Sequence, residues 1–133
     1  MTIKGSCLCG GIRYEVRGPL TGALYCHCTM CQKAQGSAFR ARAGVAVKDF
    51  HLLEGEALLT FYASSPGTYR VFCKVCGSPV LSRFDDYPDV YGLPLGLLDD
   101  DPELRPQMHV HTASKAAWHT IADDLPQFPG AAP

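Results

Sequence analysis

The chain has 133 residues, a formal net charge of −1 and a hydrophobic fraction of 47%. That is the length of one domain with enough apolar residues for a core. It offers neither the basic excess of a nucleic-acid binder nor an apolar run long enough to span a membrane. The start, Met1-Thr-Ile-Lys-Gly-Ser-Cys7, lacks the apolar stretch of a secretory signal, so a cytoplasmic location, where thiols stay reduced, is the expectation.

Ile12, Tyr14 and Val16 alternate with Arg13, Glu15 and Arg17, which predicts a half-buried strand ended by Gly18-Pro19. Ala23-Leu-Tyr25 reads as a short strand, and Thr29 to Gln35 as one or two helical turns stopped by Gly36. Phe39 to Val47 is predicted as a strand with Arg40 and Arg42 on one face. Residues 49–54, closed by Gly55, and Leu58 to Tyr62 are the next strands. Ser64 to Gly67 is a turn. Tyr69 to Phe72 runs into Cys73 and Val80 to Phe84 leaves the turn at Gly77-Ser-Pro79, so Cys73 and Cys76 cap a hairpin.

Asp85 to Asp89 is an acidic surface loop, Val90 to Leu98 an irregular strand, and Asp99 to Pro102 a turn. Met108 to Thr112 is predicted as a strand with His109 and His111 on one face. Ser114 to Ile121 is a short helix or an extended docking segment, anchored in the core by Trp118. The Pro- and Gly-rich residues 126–133 form a frayed tail. The many short strands with regular turn signals add up to an antiparallel, mostly β protein with little helix, as a single domain over 1–133.

Seven cysteines carry the chemistry, as Cys7-Leu-Cys9, Cys26-His-Cys28-Thr-Met-Cys31 and Cys73-Lys-Val-Cys76. Disulfides would leave one of the seven unpaired, and such close spacings rarely staple a fold. A redox reading of Cys73 and Cys76 would want a helix start in a βαβ unit, whereas a turn follows them here. Metal ligation is the better reading. The Cys73–Cys76 turn supplies two ligands, Gly77 permits the positive φ such a turn needs, and Cys7 with Cys9 is the natural second pair. A four-thiolate site is closed and structural; three protein ligands leave a position for water or substrate.

Cys26, Cys28 and Cys31 are the candidate open site. Two readings stand for the fourth ligand. In one it is His27, His51, His109, His111 or His119 and the site is closed; in the other it is water or a substrate thiol. His27 is poorly placed to share a metal with both neighbours, because successive extended residues point to opposite sides. Three thiolates outweigh Zn²⁺ by one charge, and soft sulfur ligation suits a further sulfur. A thiol held there would be deprotonated by the metal and set to attack a small carbonyl compound. Lewis-acid activation of the carbonyl is a second route.

These residues resemble the glutathione-dependent formaldehyde-activating enzyme family over nearly the whole chain. The resemblance rests on Gly5-Ser-Cys-Leu-Cys-Gly-Gly-Ile-Arg-Tyr14, Cys26-His-Cys-Thr-Met-Cys-Gln-Lys33 with Gly36, then Gly55 and Tyr62, Arg70-Val-Phe-Cys-Lys-Val-Cys-Gly-Ser78, and finally His111, Ser114-Lys115 and Trp118. It implies a mostly β fold of small twisted antiparallel sheets around a zinc-ribbon-like hairpin, a structural zinc on Cys7, Cys9, Cys73 and Cys76, a catalytic zinc on Cys26, Cys28 and Cys31, and carbon–sulfur lyase chemistry on glutathione and formaldehyde through S-(hydroxymethyl)glutathione. The alternative is a non-catalytic zinc-stabilised binding module or small-molecule sensor. Lys33, Arg40, Arg42, Arg70 and Lys74 could meet glutathione's carboxylates. Arg70, beside the zinc hairpin, is singled out as substrate-binding, and the others read as solvated strand or surface charge. Phe39 and Phe72 read as core, and no acid or base is assigned.

Overall fold

Alternation along Arg13–Val16 turns Tyr14 and Val16 inward, where both are fully buried. This strand, β2, is the centre of a three-stranded antiparallel sheet in the computed structural model, which describes residues 2–133. Its neighbours are β1 (Ile3–Ser6) and β5 (Phe50–Glu54). β1 has no sequence counterpart among the predicted strands. Gly5 within it lies against the Tyr14 ring, so any larger residue there would meet that ring.

The remaining strands are β3 (Thr21–Cys26), β4 (Arg40–Ala46), β6 (Leu59–Ser65), β7 (Thr68–Cys73), β8 (Pro79–Phe84), β9 (Val90–Pro94) and β10 (His109–Val110). They form one sheet in the order β10-β3-β4-β9-β8-β7-β6. All its pairings are antiparallel except β10 with β3, where His109 sits opposite Tyr25 and Val110 opposite Cys26. The two sheets share a core in which Ile3, Ile12, Tyr14 and Val16 meet Ala43, Val45, Val71, Val80 and Leu93. A smaller core of Leu24, Cys26, Cys31 and Val110 is covered by Met108 and Phe128.

The α-helix α1 (Thr29–Gln35) starts where Cys28 Sγ accepts from Cys31 N at 3.2 Å, and ends at Gly36 with φ 61°. Gly36 thus ends the helix as predicted, in a left-handed conformation that suits glycine. Gly55 follows the same logic more strictly. Its φ is 92°, and a Cβ there would lie 2.8 Å from Ile12 Cα and also against Gly11 O.

Several expectations need correction. His109 and His111 do not share a strand face, because the extended run ends at Val110 and His111 turns left-handed at φ 55°. The Val90–Leu98 run is a strand only to Pro94, then a 3-10 turn. The tail is not frayed through Gly130: His109 N donates to Pro126 O at 2.9 Å, Phe128 N to His109 O at 2.9 Å and His111 N to Gly130 O at 2.8 Å. Phe128 anchors it on the smaller core, so Pro- and Gly-rich composition misled. Trp118 is 75% exposed and anchors nothing in the core; the buried residue of that segment is Ala116.

Candidate metal centres and the adjoining cavity

The Cys7–Cys9 loop leaves β1 and the Cys73–Cys76 turn joins β7 to β8. Gly77, with φ 79°, lets its own N–H reach Cys73 O at 2.8 Å, as the turn chemistry predicted. Gly10, with φ 76°, tightens the first loop, where Gly10 N donates to Cys7 O at 2.9 Å and Ile12 N to Cys7 Sγ at 3.3 Å. Ser78 ties the loops together, because Leu8 N donates to its Oγ at 2.9 Å. The sulfurs of Cys7, Cys9, Cys73 and Cys76 all lie within 4.8 Å of one another. Cys7 and Cys9 sulfurs are 3.5 Å apart, and those of Cys9 and Cys73 are 3.8 Å apart.

Zinc held by thiolates at about 2.3 Å in a tetrahedron places sulfurs about 3.8 Å from each other. The four-sulfur cluster therefore fits such an ion, and all seven cysteines are free thiols rather than disulfides. The Ser78 hydroxyl, then backbone N–H groups, hold the Cys76 thiol down to about 5, while its neighbouring thiols push Cys9 up to about 11.

The sulfurs of Cys26, Cys28 and Cys31 form a second cluster with the same 4.8 Å limit. Cys26 ends β3, Cys28 caps α1 and Cys31 lies in its first turn. Hydrogen bonding from Cys26, helped by Cys28 and the Arg70 guanidinium, pulls the Cys31 thiol down to about 4. The Cys31 contact and burial push Cys26 upward in return. Were all three ionised, thiolates crowded together in this way would need a cation among them. Among the described residues no histidine or carboxylate ligand atom lies within 4.8 Å of all three sulfurs.

His27 explains itself differently. Its ring is fully buried, with Nε2 2.8 Å from His109 Nδ1, and His109 Nε2 lies 2.9 Å from Asp123 Oδ2. Burial, and then His109, hold His27 below its usual range and keep it neutral. With a neutral His109 whose Nε2–H donates to Asp123, His109 Nδ1 accepts from His27 Nε2–H, and the buried His27 Nδ1 is left without a partner. The His27 backbone is pinned as well, its carbonyl accepting from Gln32 Nε2 at 2.8 Å and Ser114 Oγ at 3.0 Å. The C-terminal segment therefore buttresses the loop that carries the three sulfurs. No spacing in the sequence links residues 27, 109 and 123.

Arg70 bridges this cluster to a cavity. Its Nη2 lies 3.7 Å from Cys31 Sγ and its Nε donates to Ser64 Oγ at 3.1 Å. The cavity, about 280 Å³, is walled by Val71, Phe72, Pro79 and Leu81, with Arg40 and Arg70 among its polar groups. Phe72 is thus a half-buried cavity wall and not a core residue. Phe39 is half-buried too, packed edge-on against Tyr25 with ring centroids 4.7 Å apart. A second cavity bearing Lys33 shares Ala34, Tyr62 and Arg70 with the first.

Arg40 is the largest departure from the solvated strand face expected for it. It is only 5% exposed, directly opposite Cys26 in register. Its Nη1 donates to Ser82 Oγ at 2.9 Å and its Nη2 to Gly92 O at 3.1 Å, while its buried Nε has no partner. An unpaired buried donor costs about 1–3 kcal/mol. The β3–β4 register that buries Arg40 is a tertiary fact, which the alternation of Phe39 to Val47 did not disclose. Lys74 is exposed on the hairpin and Arg42 is half-buried on β4; neither lines either cavity.

Known proteins place this architecture. The sequence profile of the family described as "Glutathione-dependent formaldehyde-activating enzyme" matches residues 2–114. A protein of Halomonas elongata that carries the provisional name of glutathione-dependent formaldehyde-activating enzyme is 26% identical, covering 91% of this chain and 82% of its own length. A crystal structure of a Rhodobacter sphaeroides protein superposes with a TM-score of 0.63 at 27% identity, over 75% of this chain and 92% of that one. The family match spans most of the sequence, both cysteine clusters included, and the chain therefore belongs to the glutathione-dependent formaldehyde-activating enzyme family.

Proposed function

We propose that the protein is a zinc-dependent carbon–sulfur lyase that forms or cleaves a thiol–aldehyde adduct such as S-(hydroxymethyl)glutathione. The observation that carries this reading is the three-sulfur cluster with no fourth ligand among the described residues, joined by Arg70 to a walled cavity. The family and the name of the Halomonas relative support glutathione and formaldehyde as the reactants. Zinc on Cys26, Cys28 and Cys31 would lower the pKa of a thiol in its fourth position and hold that sulfur as a nucleophile. A second zinc on Cys7, Cys9, Cys73 and Cys76 would be structural.

The chain's own residues do the rest. Arg70 places a positive charge against Cys31 Sγ, which offsets part of the negative charge gathered on the sulfurs. The same side chain is the substrate-binding residue, because it also faces both cavities. Val71, Phe72, Pro79 and Leu81 give the reacting atoms an apolar wall that limits water. In the forward direction the carbon–sulfur bond forms as the thiol sulfur attacks the aldehyde carbon, and the thiol's proton ends on the former carbonyl oxygen. Cleavage runs the same steps in reverse. The cytoplasm, with its reduced thiols, is the compartment such a site would serve.

Exchange spectroscopy by NMR on glutathione, formaldehyde and their adduct tests this. Catalytic amounts of the wild-type protein should accelerate exchange, and Cys28→Ser, still folded, should not. Saturable glutathione binding with no acceleration would instead mark a non-catalytic binding module or sensor.

A further inference from the structure

The two sheets have four edges, β1, β5, β10 and β6. An uncovered edge is a row of free N–H and C=O groups ready to pair with another strand, and folds usually cover it, charge it or interrupt it. β10 is covered, because His109 N donates to Pro126 O and Phe128 N to His109 O, each at 2.9 Å. β1 is covered by the segment after β9, where Asp99 N donates to Lys4 O at 2.7 Å and Lys4 N to Asp100 Oδ2 at 2.8 Å. β5 is short, carries Glu54 and follows Lys48 and Asp49.

β6 lacks these protections over most of its length. Its residues, Leu59 to Ser65, include no charge and no proline. Among the described residues its backbone pairs with β7 alone. The one irregularity, between Ala63 and Ser65, leaves Leu59-Thr-Phe-Tyr-Ala63 as a regular run of strand-forming residues. Successive residues of that run point to opposite faces. Phe61, 54% exposed, lies on the face where Arg83 packs over its ring and that of Tyr69. Tyr62, 66% exposed, lies on the other face, at the wall of both cavities.

We propose that β6 pairs antiparallel with β6 of a second copy of this chain, about a two-fold axis at Phe61, and so joins two seven-stranded sheets into one. Charge selects this occupant. Self-pairing about Phe61 sets Leu59 opposite Ala63 and Thr60 opposite Tyr62, so no like charges meet across the pair, where they would destabilise it. A net charge of −1 leaves two copies with little mutual repulsion. A charged peptide, by contrast, would find no charged side chain on this edge. The contact uses the same patch on both copies, so assembly closes at two. Thr60 shares the Tyr62 face, so the second copy also extends the wall of the cavities beyond Tyr62. One strand pair with its aromatic rings is a small interface, of the kind that forms transient complexes, and the association should follow concentration.

Sedimentation velocity of the zinc-loaded protein tests this from about 5 to 500 µM, with a thiol reductant present to exclude intermolecular disulfides. The mass should rise from the 14.4 kDa of one chain toward twice that value and stop there. Phe61→Lys, which opposes two like charges at the axis, should hold the chain as a monomer throughout. Leu53→Lys, on the exposed part of β5, should dimerise like the wild type. A wild type that stays at 14.4 kDa across the range would overturn the proposal. So would a dimer that survives Phe61→Lys in folded protein, one abolished by Leu53→Lys, or assembly that grows beyond two copies. Should Phe61→Lys not fold, amide hydrogen exchange of the wild type decides: Leu59 to Ala63 should gain protection at the higher concentration, and unchanged exchange there would rule β6 out as the contact.

Discussion

Removing metal from the four-sulfur cluster should unfold the chain, whereas emptying the three-sulfur cluster should not. Cys73 is fully buried and Cys7 is 5% exposed, and their sulfurs with those of Cys9 and Cys76 bring a loop of the three-stranded sheet onto the β7–β8 hairpin. Structural zinc contributes on the order of 10–16 kcal/mol of apparent binding energy. The net stability of a domain is about 5–15 kcal/mol. Losing only about 5 kcal/mol of that contribution lowers the melting temperature by roughly 15–25 °C, at about 3–5 °C per kcal/mol for a chain of this length. The assay is thermal melting by circular dichroism with a strong zinc chelator and a thiol reductant. Cys31→Ser is the control, since it removes one sulfur from the other cluster and should keep a cooperative melt. A chelated, metal-free protein that melts cooperatively within about 5 °C of the untreated one would refute the structural role.

Gly55→Ala should cost about 2–4 kcal/mol in urea unfolding, because its φ of 92° and the nearby Ile12 and Gly11 backbone leave no room for a Cβ; a cost under about 0.5 kcal/mol would show that the loop relaxes freely. His109→Ala should cost about 2–4 kcal/mol and loosen metal at Cys26, Cys28 and Cys31, since it strands the buried His27 ring. Unchanged zinc retention there would show that the backbone bonds from Gln32 and Ser114 suffice. Trp118→Ala should change stability by less than about 0.5 kcal/mol. The tryptophan emission should be red-shifted and readily quenched by acrylamide in the folded protein, as its 75% exposure requires; blue-shifted, protected emission would contradict the structure.

The two cysteine clusters were legible because close cysteine spacing is local information. Cys73 to Gly77 declares its own turn, and Gly77 takes the positive φ the turn needs. Pairing Cys7 and Cys9 with that turn was an inference from counting, and the sulfurs do meet. Strands with clean alternation, such as Arg13–Val16, and the helix with a terminating glycine were equally readable. What escaped is what depends on distant partners. Arg40 looks like a strand-surface cation until β3 and β9 flank it and bury it against Ser82 and Gly92. His109 gains its role only from the parallel pairing of β10 with β3, which sets it beside His27. Trp118 misled for the opposite reason: large aromatics usually supply buried area, yet this one lies on the surface of a segment held by backbone and Ser114 contacts.

The central claim is that the Cys26, Cys28 and Cys31 centre accepts a thiol as its fourth ligand. Cadmium-113 NMR of the cadmium-substituted protein tests it directly, because the shift reports the sulfur count at each ion. Two resonances are predicted, one of them lost in Cys28→Ser. Glutathione should move that one toward the four-sulfur position and leave the other in place. A resonance at the three-cysteine centre that glutathione does not move would contradict the account.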